Sequence, residues 1–137
     1  MDLMKRYNYA SGAPLEETVG YSRAVKVGNM VYVGGTTTTT PEGVVEAEGD
    51  AYEQTRIICA KITDALDRAG ATPMDVVRVR MYVTDIKLAS DVMRAYSEVF
   101  KAAKPVTMLA EISGLARPAH LVEIEAEAII GSYLVNR

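Results

Sequence analysis

Apolar and polar residues alternate along this chain with two different periods, and the changes of period divide it into elements. Residues 21–28, YSRAVKVG, alternate with period two and end at Gly28-Asn29, a hairpin turn signal. Residues 30–35, MVYVGG, read as the returning strand. The threonines at 36–40 extend it as far as Pro41, because β-branched side chains favour extended chain and proline pushes the preceding residue the same way. The opening segment up to Glu17 is polar and irregular, with room for an edge strand. A polar loop is predicted from Pro41 to Gly49.

The period then lengthens. Asp50 and Glu53 form a D-x-x-E capping box. Ala51, Thr55, Ile58, Ile62, Ala65, Leu66 and Ala69 recur at helical spacing, and Gly70 closes the helix. DVVRVRMYVTD at 75–85 returns to period two, with Val77, Val79, Met81 and Val83 on one face and Arg78, Arg80 and Tyr82 on the other. Leu88, Val92, Tyr96 and Val99 predict a second helix of about 13–16 residues, stopped before Pro105. PVTMLAEI at 105–112 is a further strand, Gly114 to His120 a loop, and VEIEAEAII at 122–130 the last strand.

The order is hairpin, helix, strand, helix, strand, strand. It predicts a single α+β domain over 1–137, one mixed sheet with both helices on one face. The opposite face is then unusual. Glu123, Glu125 and Glu127 line up about 7 Å apart on it, and Arg78, Arg80 and Tyr82 share it. If these two strands are neighbours, the charges form a cross-strand ladder, each exposed pair contributing about 0.2–1 kcal/mol. Two readings stand for this face: a solvated surface, or one enclosed by other subunits.

Composition narrows the function classes. The 137 residues carry 15 basic and 18 acidic side chains, for a net charge of −3, with no basic block, which argues against nucleic acid as a partner. One cysteine, Cys59, excludes an internal disulfide and any multi-cysteine zinc site, and its apolar neighbours predict a buried thiol. The N-terminal residues lack the apolar core of a signal peptide, and no run approaches the length of a membrane span, so the expected location is the cytoplasm. The lone histidine, His120, supports neither a metal site nor a triad and is expected at the surface or at an interface. Gly34-Gly35 before the threonines lacks the lysine and helix start of a phosphate loop. The Gly35 backbone and the threonine hydroxyls remain available as donors to a carboxylate ligand.

GYSRAVKVGNMVYVGGT (20–36), DVVRVRMYVTDI (75–86) and LVEIEAEA (121–128), in this order and spacing, resemble the Rid/YjgF family of reactive intermediate deaminases, whose older label is endoribonuclease L-PSP or translation inhibitor. The resemblance covers roughly residues 6–130. It implies a chorismate-mutase-like fold and a homotrimer whose three sheets close into a barrel, with ligands in clefts between subunits. The best-known members hydrolyse 2-imino or 2-enamino acids to 2-keto acids and ammonia, with no cofactor and no metal. Matched residue by residue, the family's tyrosine is Tyr21, its backbone glycine Gly35 and its glutamate Glu123.

The family's carboxylate-gripping arginine has no match. Its Pro-x-Arg reads Pro105-Val106-Thr107 here, and an asparagine after the Tyr-Val-x-Asp segment is Lys87. These departures resemble a subgroup lacking the usual arginine. Arg23, two residues past Tyr21 and so on the same strand face, is the candidate replacement cation, since threonine offers only a hydroxyl; its alternative role is an ion pair with an interface glutamate. The candidate site is therefore Glu123 and Tyr21 as catalytic residues, with Arg23, Gly35, Thr36, Tyr82 and Thr107 binding the substrate. The resemblance implies imine or enamine hydrolysis. The alternatives are a non-catalytic metabolite-binding or regulatory trimer and, behind it, an endoribonuclease, against which the acidic charge and absent basic face argue.

Overall fold

A computed structural model describes residues 5–132 of the chain. Its strands are β1 (Arg6–Tyr9), β2 (Ala24–Val27), β3 (Met30–Thr36), β4 (Val76–Val83), β5 (Val106–Glu111) and β6 (Val122–Ile129). The helices are α1 (Ala51–Arg68) and α2 (Ala89–Phe100). The six strands form one mixed sheet in the order β1-β2-β3-β6-β4-β5. Only β4 and β5 run parallel, and α2 makes the crossover between them. The opening segment does supply an edge strand, β1, paired with β2.

The helix side of the sheet is the core. Val31 and Val33 of β3, Ile124 and Ala126 of β6, and Val79, Met81 and Val83 of β4 are buried with Ile58, Ile62 and Leu66 of α1 and Val92 and Phe100 of α2. Each large aliphatic side chain removed from water there contributes roughly 1.5–3 kcal/mol, which holds both helices to one face. Asp50 caps α1 by accepting from the Glu53 amide at 3.0 Å. The reciprocal half of the capping box is replaced by an ion pair, because Glu53 turns to Arg56 at 2.6 Å.

Four expected boundaries move. β2 begins at Ala24 and not at residue 21, because Arg23 sits in a bend whose amide donates to Tyr9 O. β3 ends at Thr36, after a register shift between Val33 and Thr36, so Thr37 to Thr40 form a loop that pairs with itself through an isolated Thr39–Val45 bridge. A second shift between Val76 and Arg78 puts Val76 in the core and leaves Val77 exposed. α2 has 12 residues, and Leu88 lies in a short 3-10 turn before it.

The opposite sheet face carries the charge ladder. β4 and β6 are antiparallel neighbours with Arg78 opposite Glu127, Arg80 opposite Glu125 and Tyr82 opposite Glu123. Arg78 Nε lies 3.1 Å from Glu127, and Arg80 Nη1 lies 3.4 Å from Glu125 and 3.5 Å from Glu127. Apolar side chains flank the charges. Met30 and Tyr32 of β3 lie on this face on one side, Val106 and Met108 of β5 on the other, and all four are exposed.

Candidate functional site

A cleft of about 1070 Å³ opens where β3, α1 and the loop before β6 meet. Its walls include Tyr21, Arg23, Gly35 and Glu123, so four of the seven expected site residues come together. The irregular end of β3 creates the space. Gly34 donates to Arg23 O at 2.9 Å, the register shifts, and Gly35 offers bare backbone to Glu123. A Cβ at Gly35 would lie 2.6 Å from Glu123 Oε2 and 3.1 Å from its carboxyl carbon. No other residue type lets the carboxylate rest there. Burial, and after it the charge of Glu125, pushes the Glu123 carboxyl above its ordinary pKa.

Arg23 lines the same cleft as Glu123. Its Nη1 donates to Thr36 Oγ1 at 3.0 Å, and Thr36 in turn donates to Gly34 O at 2.8 Å. Thr36 is fully buried, so it steers Arg23 rather than facing a ligand. Burial lowers the Arg23 guanidinium, Glu16 opposes that, and Arg68 adds to it. None of the ion pairs among the described residues involves Arg23. Tyr21 is exposed, lying outside β2 at the cleft mouth.

The remaining two expected residues stand elsewhere in the chain's own fold. Tyr82 is on the polar sheet face opposite Glu123 and donates to Glu125 Oε1 at 3.4 Å. Thr107 pairs with Val79 on the helix side of the edge strand β5, and no wall of the cleft contains it.

His120 departs from expectation. It is buried, with 3% of its surface exposed, and lies in the cleft wall. The cause is Gln54 on α1, itself fully buried. Its amide donates to Ala119 O at 2.9 Å and to Ala47 O at 3.2 Å, and its oxygen accepts from Leu121 N at 3.0 Å. That clamp draws the loop against the helix and turns His120 inward, where Nε2 meets the Thr39 hydroxyl. Burial, then Arg117 and Lys61, lower the His120 pKa below its ordinary value.

Lys61 was not foreseen. It stands on the polar stripe of α1, and its Nζ donates to Thr37 O at 2.8 Å and Thr39 O at 3.1 Å. Burial and the charge of Arg23 lower its pKa. Arg56, Asp64 and Arg68 of the same helix also line the cleft. Cys59 is buried as expected, its thiol pushed up to about 12 by burial. Among the described residues no cluster of side chains suits a metal ion, and no helix is long and apolar enough to cross a membrane.

Comparison with known proteins gives a consistent result. The model of the endoribonuclease L-PSP family matches residues 12–130. A RutC family protein of Pyrococcus abyssi is 38% identical over 108 residues, covering 79% of this chain and 84% of the relative. The crystal structure of a YjgF/YER057c/UK114 family member from Mycobacterium tuberculosis is 42% identical with a TM-score of 0.83, covering 92% of this chain and all of the other. A Rid family protein of unknown function from Yersinia pestis is 27% identical with a TM-score of 0.80, covering 92% of this chain and all of the other.

Proposed function

On the premise that the chain belongs to the endoribonuclease L-PSP family, also called YjgF or Rid, and has its chorismate-mutase-like fold, we propose that it hydrolyses small 2-imino or 2-enamino acids. The observation that carries this reading is the Glu123 carboxylate seated on Gly35, held above its ordinary pKa, with Arg23 in the same cleft. In the reaction, water adds to the imine carbon and the carbinolamine expels ammonia, leaving a 2-keto acid. Glu123 accepts the proton of the attacking water and returns it to the departing nitrogen. A carboxylate with a raised pKa suits both halves of that transfer at neutral pH. Arg23 holds the substrate carboxylate with its planar guanidinium, and Tyr21 packs against the planar imine. Neither step uses a cofactor or a metal ion.

The proposed assembly is a homotrimer. A charge ladder flanked by exposed Met30, Tyr32, Val106 and Met108 has no helix over it among the described residues and suits burial against copies of the chain. Tyr82 on this face, and Thr107 on the edge strand β5, would then meet a cleft only across a subunit boundary. A native mass near three times 14.9 kDa is expected. A monomer at micromolar concentration removes the intersubunit site.

The activity test generates imines from several amino acids with an amino-acid oxidase and follows keto-acid release with and without the protein. Poor turnover of 2-aminoacrylate and better turnover of another imine whose acid reaches Arg23 are expected. Arg23→Ala and Glu123→Gln should each abolish the acceleration. A second reading, binding without turnover, is favoured by Thr107 at the arginine's place, and it takes over if no imine is accelerated.

A further inference from the structure

The proposed chemistry uses Glu123, Arg23 and Tyr21, and the same cleft holds further charge that the chemistry leaves idle. Lys61 spends two ammonium protons on the carbonyls of Thr37 and Thr39. The third has no hydrogen-bond partner among the described residues, and none of their ion pairs involves Lys61. Beside it, His120 Nε2 shares a hydrogen bond with the Thr39 hydroxyl, while the other ring nitrogen, Nδ1, is buried without a partner among the described residues. A buried polar atom left unsatisfied costs about 1–3 kcal/mol, and a protonated Nδ1 would recover it from an acceptor outside the chain.

Arg117 adds to this charge. It lines the cleft and donates from Nη1 to Gly43 O at 2.8 Å. The charges repel one another: Arg117 and Lys61 both act against protonation of His120, and Arg23 acts against that of Lys61. Glu42 lines the same cleft and the charge of Glu46 reaches Lys61, yet neither forms an ion pair among the described residues. The cleft also exceeds the roughly 300–1,000 Å³ usual for small-molecule sites, so a three-carbon acid leaves most of it empty.

We propose that Lys61, His120 and Arg117 form a second anion-binding subsite, and that the molecule the cleft receives carries two acidic groups, one for Arg23 and one for this subsite. The inference rests on the reading of Arg23 as the first anchor, and it deepens that reading to a substrate class. Dianionic imino acids fit, with a carboxylate or a phosphate as the second acidic group.

Calorimetric titration of the wild-type protein with paired acids tests this without any reaction. Butyrate, valerate and hexanoate are compared with succinate, glutarate and adipate, and 3-phosphonopropionate replaces the second carboxylate by a phosphonate. At the matching length the dianion should bind at least tenfold tighter than its monoacid. Lys61→Met should erase that advantage while the monoacid affinity stays within twofold, and Arg23→Ala should weaken both. Because Lys61 also pins the threonine loop, Arg117→Gln serves as the second variant, with at least a threefold loss of the advantage. The larger advantage, carboxylate or phosphonate, names the second group. Equal affinities throughout the pairs, or a full advantage in both variants, overturn the subsite. Its survival does not depend on turnover: a dianion preference with no imine hydrolysis keeps the subsite and removes the hydrolase reading, and the converse removes only the subsite.

Discussion

Gly35→Ala isolates the placement of one carboxylate from the stability of the fold. The Gly35 backbone does not have positive φ, so alanine meets no backbone strain there. Alanine also restricts the unfolded chain, which favours folding by about 0.4–1 kcal/mol at a compatible site. The obstacle is the Glu123 side chain: the new methyl would lie 2.6 Å from Oε2, against ordinary contact from 3.4 Å, so the carboxylate must retreat by about 0.8 Å. Oε2 is the free end of a flexible side chain, so the retreat is cheap for the fold and expensive for geometry. A reacting group displaced by about 1 Å costs on the order of 100-fold in rate, near 2.7 kcal/mol of transition-state stabilisation. The expected outcome is therefore a Tm within a few degrees of wild type and a kcat/KM for the best imine reduced by about two orders of magnitude. Undiminished keto-acid release by Gly35→Ala would refute the role given to this contact.

Glu123 binds more protons in the folded than in the unfolded chain, because its folded pKa is raised, so it removes stability as pH rises from the unfolded value through the folded one. Glu123→Gln should thus raise Tm at pH 7 and lose that advantage below about pH 4, where both carboxyls are neutral; a lower Tm at pH 7 counts against the environment described. Arg80→Ala removes the ion-pair partner of Glu125 and one of the two partners of Glu127, and should cost about 3–5 kcal/mol with weakened assembly if subunits enclose the ladder. A loss under about 1 kcal/mol with unchanged native mass means the face is solvated. Gln54→Leu leaves the Ala47, Ala119 and Leu121 backbone groups without their clamp, and should lower unfolding free energy by about 2 kcal/mol or more in urea titration. Cys59, with its thiol near 12, should resist an aromatic disulfide reagent at pH 7 until the chain unfolds; fast labelling of the native protein would contradict its burial.

The sheet and its two helices were legible because each element keeps one period for long enough to bury one face. The ladder was legible too, since Arg78, Arg80 and Tyr82 alternate as strictly as Glu123, Glu125 and Glu127, and their pairing followed once β4 and β6 were neighbours. The errors sit where alternation has two phases. In Val76-Val77 either valine can face the core, and a bulge decides for Val76. In YSRAVKV the pattern runs on visually past the point where β1 captures the Arg23 amide. Of the site, Glu123 and Gly35 were readable through their motifs. Lys61, Gln54 and His120 were not, because each acts through a partner distant in sequence. A lysine on a helix stripe looks solvated until the loop it pins is known, and a single histidine looks like surface until a buried glutamine pulls its loop inward.

β6, the last strand in the sequence, lies between β3 and β4 in the sheet. Strands β1 to β3 form one half and β4 with β5 the other, and the two halves have no shared edge without residues 122–129. Pairing then reaches back to Thr36 across a long stretch of chain, a contact of high loop-closure cost. The strand that closes the sheet is also the strand that delivers Glu123 to Gly35. The joining of the two halves of the sheet and the seating of that carboxylate are therefore a single event.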